Sequence, residues 1–277
     1  MTVIDFHTHA FPDRLAPRAI AQLTINAAAS GYKPRTDGTV ADLIRSMDRA
    51  GVTRSVVCNV ATNARQMAKV NDFAIQTARD PRLIPLGSLH PDAPETELDT
   101  ELDRLAAAGL CGIKLHPDYV HTEIDAPVFA PILSRCESRG MLVVIHAGFD
   151  PLEPDHMHCT PDMVLRVMER YPTLKLVVAH TGGFNCEREV LDKLCGTKVY
   201  LDTSLSALRN DRSDSWGAAC ADILRAHDPD RILFGSDNPW SDPAQEIAFI
   251  RNAGLSEETV QKIFHGNAER LLASCLS

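Results

Sequence analysis

VIDFHTH, residues 3–9, opens the chain with a short β-branched and apolar run that gives way to two histidines spaced by one residue. Seven further runs of this kind follow: SVVCNV at 55–60, LIPLGSL at 83–89, GIKL at 112–115, LVVI at 142–145, LKLVVA at 174–179, VYLDTS at 199–204 and ILFGSD at 232–237. Runs that are apolar on both faces and separated by helix-length segments have the pattern of buried parallel strands. The segments between them supply the helices. TVADLIRSMDRAG at 39–51 begins with Thr-x-x-Asp and ends in Gly, and ETELDTELDRLAAAG at 95–109 repeats apolar residues at helical spacing. TPDMVLRVMERYP at 160–172 carries an N-cap Thr with Pro at the first helical position, and SEETVQKIFHGNAERLL at 256–272 supplies the last helix.

Eight strands alternating with helices build either an open doubly wound sheet or a closed barrel. No G-x-G-x-x-G follows the first strand, which removes the usual reason for a dinucleotide-binding open sheet. A length of 277 residues is close to the roughly 250 of a (β/α)₈ barrel. The expectation is therefore an α/β protein, a (β/α)₈ TIM barrel forming one domain over residues 1–277, with its site at the C-terminal face of the strands. The longer connections, 10–38 and 147–160, read as loops over that site.

Composition narrows the partners. With 44% hydrophobic and 23% charged residues the chain can bury a large core. Its net charge of −9, from 28 basic and 37 acidic residues, argues against nucleic acid, which needs clustered cations. The eight cysteines form no C-x-x-C pair or regular framework, as expected of reduced thiols in a cytoplasm. The start MTVIDFHTHA lacks a basic segment followed by an apolar one, and no run approaches the about 20 apolar residues of a membrane span. A cytoplasmic enzyme of small molecules is expected; an oligomer is compatible with this sequence but not legible in it.

Asp5, His7 and His9 follow one another at spacing two, so an extended chain turns all three to one face. Two imidazoles at i and i+2 near the C-terminal end of a strand can grip one cation at a barrel mouth. Alone, H-x-H is short and common by chance. Four more strands, however, end in titratable residues: Lys114 and His116 in GIKLHP, His146 in LVVIHAG, His180 in LVVAHTGG and Asp237 in ILFGSDNPW. Their convergence points to a single metal centre. The 34 residues from His146 to His180 equal about one βα unit when roughly 250 residues are shared among eight.

With DFHTH, GIKLHP, VIHAG, VAHTGG and FGSDNPW in this order, the chain resembles the amidohydrolase superfamily along nearly its whole length, and closely its amidohydrolase-related branch of hydrolases and non-oxidative decarboxylases. The resemblance implies that His7, His9, His146 and Asp237 bind one divalent ion, zinc or alternatively manganese. Three imidazoles and a carboxylate suit Zn²⁺ and leave a position for a water whose pKa falls toward about 7. His180 would orient that water or stabilise charge on the substrate, and Asp237 would also exchange protons. In binuclear members a fourth-strand lysine is carboxylated and bridges two metals. Here Lys114 is expected instead as a free cation that, with His116, holds a substrate carboxylate.

Other polar residues carry weaker expectations. His156, His158 and Cys159 in DHMHCT read as a loop whose side chains reach the pocket rather than as a second metal site. Arg209 and Arg212 in SLSALRNDR are as readily solvated as paired with an anionic substrate, and Trp240 either walls the pocket or packs the mouth. The leading expectation is a hydrolase that attacks an amide, ester or lactone carbonyl of a small molecule. The alternatives are a carboxy-lyase acting on a small carboxylic acid and a non-catalytic metabolite-binding barrel.

Overall fold

A computed structural model describes residues 2–28, 32–207 and 215–275. The strands are β1 (Ile4–Thr8), β2 (Arg54–Cys58), β3 (Leu83–Leu86), β4 (Gly112–Leu115), β5 (Leu142–Ile145), β6 (Lys175–Val178), β7 (Tyr200–Asp202) and β8 (Ile232–Leu233). Each pairs in parallel with the next within two runs, β1 to β3 and β4 to β8. Backbone bonds join the runs at both seams. Gly87 N–H donates to Gly112 O (3.0 Å) and Lys114 N–H to Gly87 O (2.8 Å) between β3 and β4. Phe6 N–H donates to Phe234 O (2.6 Å) and His9 N–H to Asn238 O (2.7 Å) between the ends of β8 and β1. The ring of eight parallel strands thus closes as a (β/α)₈ barrel.

The intervening elements are α1 (Ala16–Asn26), α2 (Val40–Ala50), α3 (Met67–Thr77), α4 (Glu95–Ala107), α5 (Ala130–Ser138), α6 (Pro161–Arg170), the single turn α7 (Glu187–Glu189), α8 (Ser215–Ala226), α9 (Pro243–Asn252), α10 (Glu257–Gln261) and α11 (Asn267–Cys275). Local chemistry sets their ends. Thr39 Oγ accepts from Asp42 N–H at the start of α2, and Gly51 closes that helix at φ +73°, a left-handed conformation that suits glycine. The segment 10–38 is more than a loop: it contains α1, one face of which lines the central cavity.

Alternation along the strands separates two cores. Ile113, Leu115, Val143, Ile145, Leu176 and Val178 face the surrounding helices, whereas Val56, Val144, Val177 and Leu233 pack with one another in a second cluster. Lys114 lies between Ile113 and Leu115 in sequence, so it points opposite to them, into the barrel, and is 1% exposed. Among the described residues no helix is long and apolar enough to cross a membrane. The eight cysteines form no disulfide.

Glu246 on α9 supports the barrel mouth from outside the cavity. It is fully buried, accepts from Ser241 Oγ (2.6 Å) and from Ala207 N–H (2.8 Å), and burial pushes its carboxyl up to about 8. The folded state therefore holds a proton that the unfolded chain releases above about pH 4.5. The resulting stability is complete below that pH and is lost as pH rises through about 8. Glu246→Gln, neutral at every pH, should flatten this part of the melting-temperature profile between pH 5 and 9. An unchanged profile would show that Glu246 is already ionised in the fold.

Candidate active site

The C-terminal ends of the strands surround a cavity of about 740 Å³ whose lining includes His7, His9, Lys114, His146, His180 and Asp237. Two of these residues lie on backbone that L side chains seldom adopt: His180 has φ +58° and Asp237 φ +66°. Such conformations persist where surrounding structure enforces them, and they concentrate at functional sites. Here Asp237 N–H is held by His7 O (2.8 Å), and His180 N–H faces Asp202 Oδ1 (3.2 Å).

His7 and His9 each commit Nδ1 to a fixed acceptor. His7 Nδ1 is 2.8 Å from Asp202 Oδ2, and His9 Nδ1 is 2.8 Å from Cys58 O. With the protons on Nδ1, both Nε2 lone pairs face Asp237 Oδ1, at 3.5 Å from His7 and 3.0 Å from His9. Two lone pairs and a carboxylate oxygen around one point need a cation among them, a place that Lys114 Nζ, 3.3 Å from His7 Nε2, takes on the His7 side. One donor atom from each of His7, His9 and Asp237 lies within 4.8 Å of the others, so the donor set fits a divalent metal. Burial pushes the Asp237 carboxyl up, but the close approach of the His9, His7 and His180 rings outweighs it and brings it down to about 2. Burial, reinforced by Lys114, holds His7 well below the usual imidazole range.

The remaining expected residues are close, in a different grouping. His180 Nε2 is 2.9 Å from His146 Nδ1, and burial takes His180 down to about 3 and His146 well below its ordinary value. His146 stacks on His116 at 4.1 Å and shares a second group of candidate ligands with His116 and Asp118 rather than with His7. Lys114 Nζ lies 3.3 Å from His7 Nε2. Trp240 lines the cavity, while His156 is exposed beside Glu123 and His158 and Cys159 are buried away from it; Phe149–Leu152 line it from that loop instead. Arg209 and Arg212 lie outside the described residues.

Asp5 departs from the expected convergence. The β1–β2 register shifts between Asp5 and Thr8, and the Asp5 carboxylate accepts from Ser236 Oγ (2.5 Å) and Ser236 N–H (2.9 Å). Burial raises it to about 7, and it braces the β8 turn instead of facing a metal. Asp202 and Ser204, which fix His7 and His180, were not singled out by the motifs. The signal for them is an acidic residue within the otherwise apolar run VYLDTS, at the end of a strand whose neighbours end in histidine or aspartate.

The sequence profile of the amidohydrolase family matches residues 4–273. The chain belongs to this family. No curated protein sequence matches it. Among solved structures, an uncharacterised TIM-barrel protein from Bordetella bronchiseptica superposes with a TM-score of 0.75 at 20% identity, covering 99% of both chains. A candidate 2-pyrone-4,6-dicarboxylic acid hydrolase from Pseudomonas putida gives 0.66 at 19% identity, covering 99% of this chain and 98% of its own. A 5-carboxyvanillate decarboxylase from Novosphingobium aromaticivorans, complexed with manganese and 4-hydroxy-3-methoxy-5-nitrobenzoic acid, gives 0.68 at 16% identity, covering 98% and 96%. At these identities the likeness establishes the shared barrel, and the family belongs to an enzyme superfamily that is metal-dependent.

Proposed function

We propose that the protein is a metal-dependent hydrolase of a small molecule bearing an amide, ester or lactone carbonyl, with one divalent ion, zinc or manganese, held by His7, His9, His146 and Asp237. The observation that carries this reading is the meeting of His7 Nε2 and His9 Nε2 with Asp237 Oδ1 on the cavity wall while each Nδ1 faces an acceptor. A bound ion would supply Lewis acidity toward the substrate carbonyl and toward a water. His180, kept neutral by burial and with Nδ1 2.8 Å from Ser204 Oγ, is placed to orient that water through Nε2, and the Asp237 carboxylate beside it is positioned to take and return a proton. Lys114 and His116 hold a carboxylate of the substrate, and the aromatic side chains of Phe73, Phe149, Phe184 and Trp240 enclose its body.

Lys114 also favours a second reading, decarboxylation of a small aromatic or unsaturated acid. A buried ammonium on the cavity wall can orient a carboxylate for loss of CO₂ as readily as anchor one that stays. The manganese-bound decarboxylase of the same fold supports keeping this alternative. A panel of lactones, amides, esters and aromatic carboxylic acids, with CO₂ release followed beside hydrolysis, separates the two. Hydrolysis without CO₂ release is the expected result; CO₂ release alone would replace the hydrolase with a carboxy-lyase. Absence of turnover in a metal-loaded protein would favour the metabolite-binding barrel.

A further inference from the structure

His146 presents its two nitrogens to different surroundings. Nδ1 lies beside His180 Nε2, whereas Nε2 is buried and has no hydrogen-bond partner. The groups facing Nε2 are carboxylates: Asp150 Oδ2 at 3.7 Å and Asp118 Oδ2 at 3.9 Å. The Asp118 side chain is wholly buried, and its Oδ2 likewise lacks a hydrogen-bond partner. Its other oxygen, Oδ1, is 3.2 Å from His158 Nδ1. His116 stacks on His146 and brings Nδ1, a third buried atom without a partner, to 3.4 Å from the same Oδ2. Unpartnered buried atoms from three residues thus meet behind the metal-ligand histidine, on the side away from His180.

A neutral imidazole carries one N–H and one lone pair. A lone pair on Nε2 would confront two carboxylate oxygens, while a proton there meets an acceptor. We propose that Asp118 is a positioning residue of the metal centre: when an ion takes the place of His180 at Nδ1 of His146, the ring proton moves to Nε2, and the Asp118 carboxylate, anchored by His158, accepts it. The inference rests on the reading of His146 as a metal ligand. Asp150 is the lesser partner because its side chain is 17% exposed on the cavity wall, where water competes for it. Closing the Asp118 to His146 gap to a bond needs a movement of about 1 Å. The assignment also gives a place to the 150–159 loop, since His158 O accepts from Ile124 N–H (2.9 Å) and stitches that loop to the segment after β4.

Zinc affinity by chelator competition, measured for the wild type, Asp118→Asn, His158→Gln and His146→Ala, tests this together with ¹H–¹⁵N NMR of the His146 Nε2–H in the zinc-loaded protein. Asp118→Asn should bind zinc about 10–100-fold more weakly, the usual loss when a ligand's outer partner is removed. Its His146 Nε2–H proton should lose the downfield shift of a hydrogen bond to a carboxylate. His158→Gln should give the same change with a smaller loss of affinity, and it serves as the test if Asp118→Asn does not fold. Wild-type affinity and an unchanged Nε2–H signal in Asp118→Asn, beside a weakened His146→Ala, would overturn the inference alone. Wild-type affinity in His146→Ala would overturn the parent reading and this inference with it.

Discussion

Asp237→Asn is expected to lower turnover by about 10²–10⁴-fold, the range associated with loss of a general acid–base group, and to stay slow when metal is added back to saturation. Asparagine keeps the size of the side chain and tolerates the left-handed φ of +66° at this position, so the substitution tests the charge without straining the turn. It removes the anionic oxygen that faces both Nε2 atoms, and metal affinity should fall as well. Restoration of near-normal turnover by added metal would make Asp237 a ligand without a proton-transfer role. Normal turnover without added metal would remove it from the site.

The second large effect is expected from His9→Ala, with metal affinity falling well beyond the roughly 10–100-fold that loss of an outer partner costs. His9 is the cleaner of the two H-x-H substitutions. Its side chain is 18% exposed and its Nδ1 partner is a backbone carbonyl, so circular dichroism should show the barrel intact. His7→Ala should also release the ion, but it leaves Oδ2 of the buried Asp202 carboxylate without its partner, and such an unsatisfied buried acceptor costs about 1–3 kcal/mol. A lower melting temperature in His7→Ala than in His9→Ala is the expected sign of that difference.

The barrel was legible because parallel strands covered on both faces must be apolar throughout, and GIKL and LVVI coincide with β4 and β5. Strand ends were less so. ILFGSD reads as a strand to 237, yet β8 is only Ile232–Leu233, since the chain beyond it bends toward the left-handed Asp237. The convergence of Asp5 with the histidines failed for a similar reason. Period-two reasoning assumes an unbroken strand, and β1 shifts register between Asp5 and Thr8. Motif reading brought out residues that could touch a metal or substrate, such as His7 and Asp237. It passed over Asp202 and Asp118, whose contacts join residues far apart in the chain: His7 is 195 positions from Asp202, and Asp118 is 40 from His158.

Elemental analysis of the purified protein and of His9→Ala, each dialysed against metal-free buffer, tests the proposed centre most directly. About one zinc or manganese per wild-type chain, and close to none in a folded His9→Ala, is the predicted result. A wild type without metal that gains no thermal stability from added zinc or manganese, or a folded His9→Ala that retains a full equivalent, would contradict a metal centre built on the DFHTH histidines.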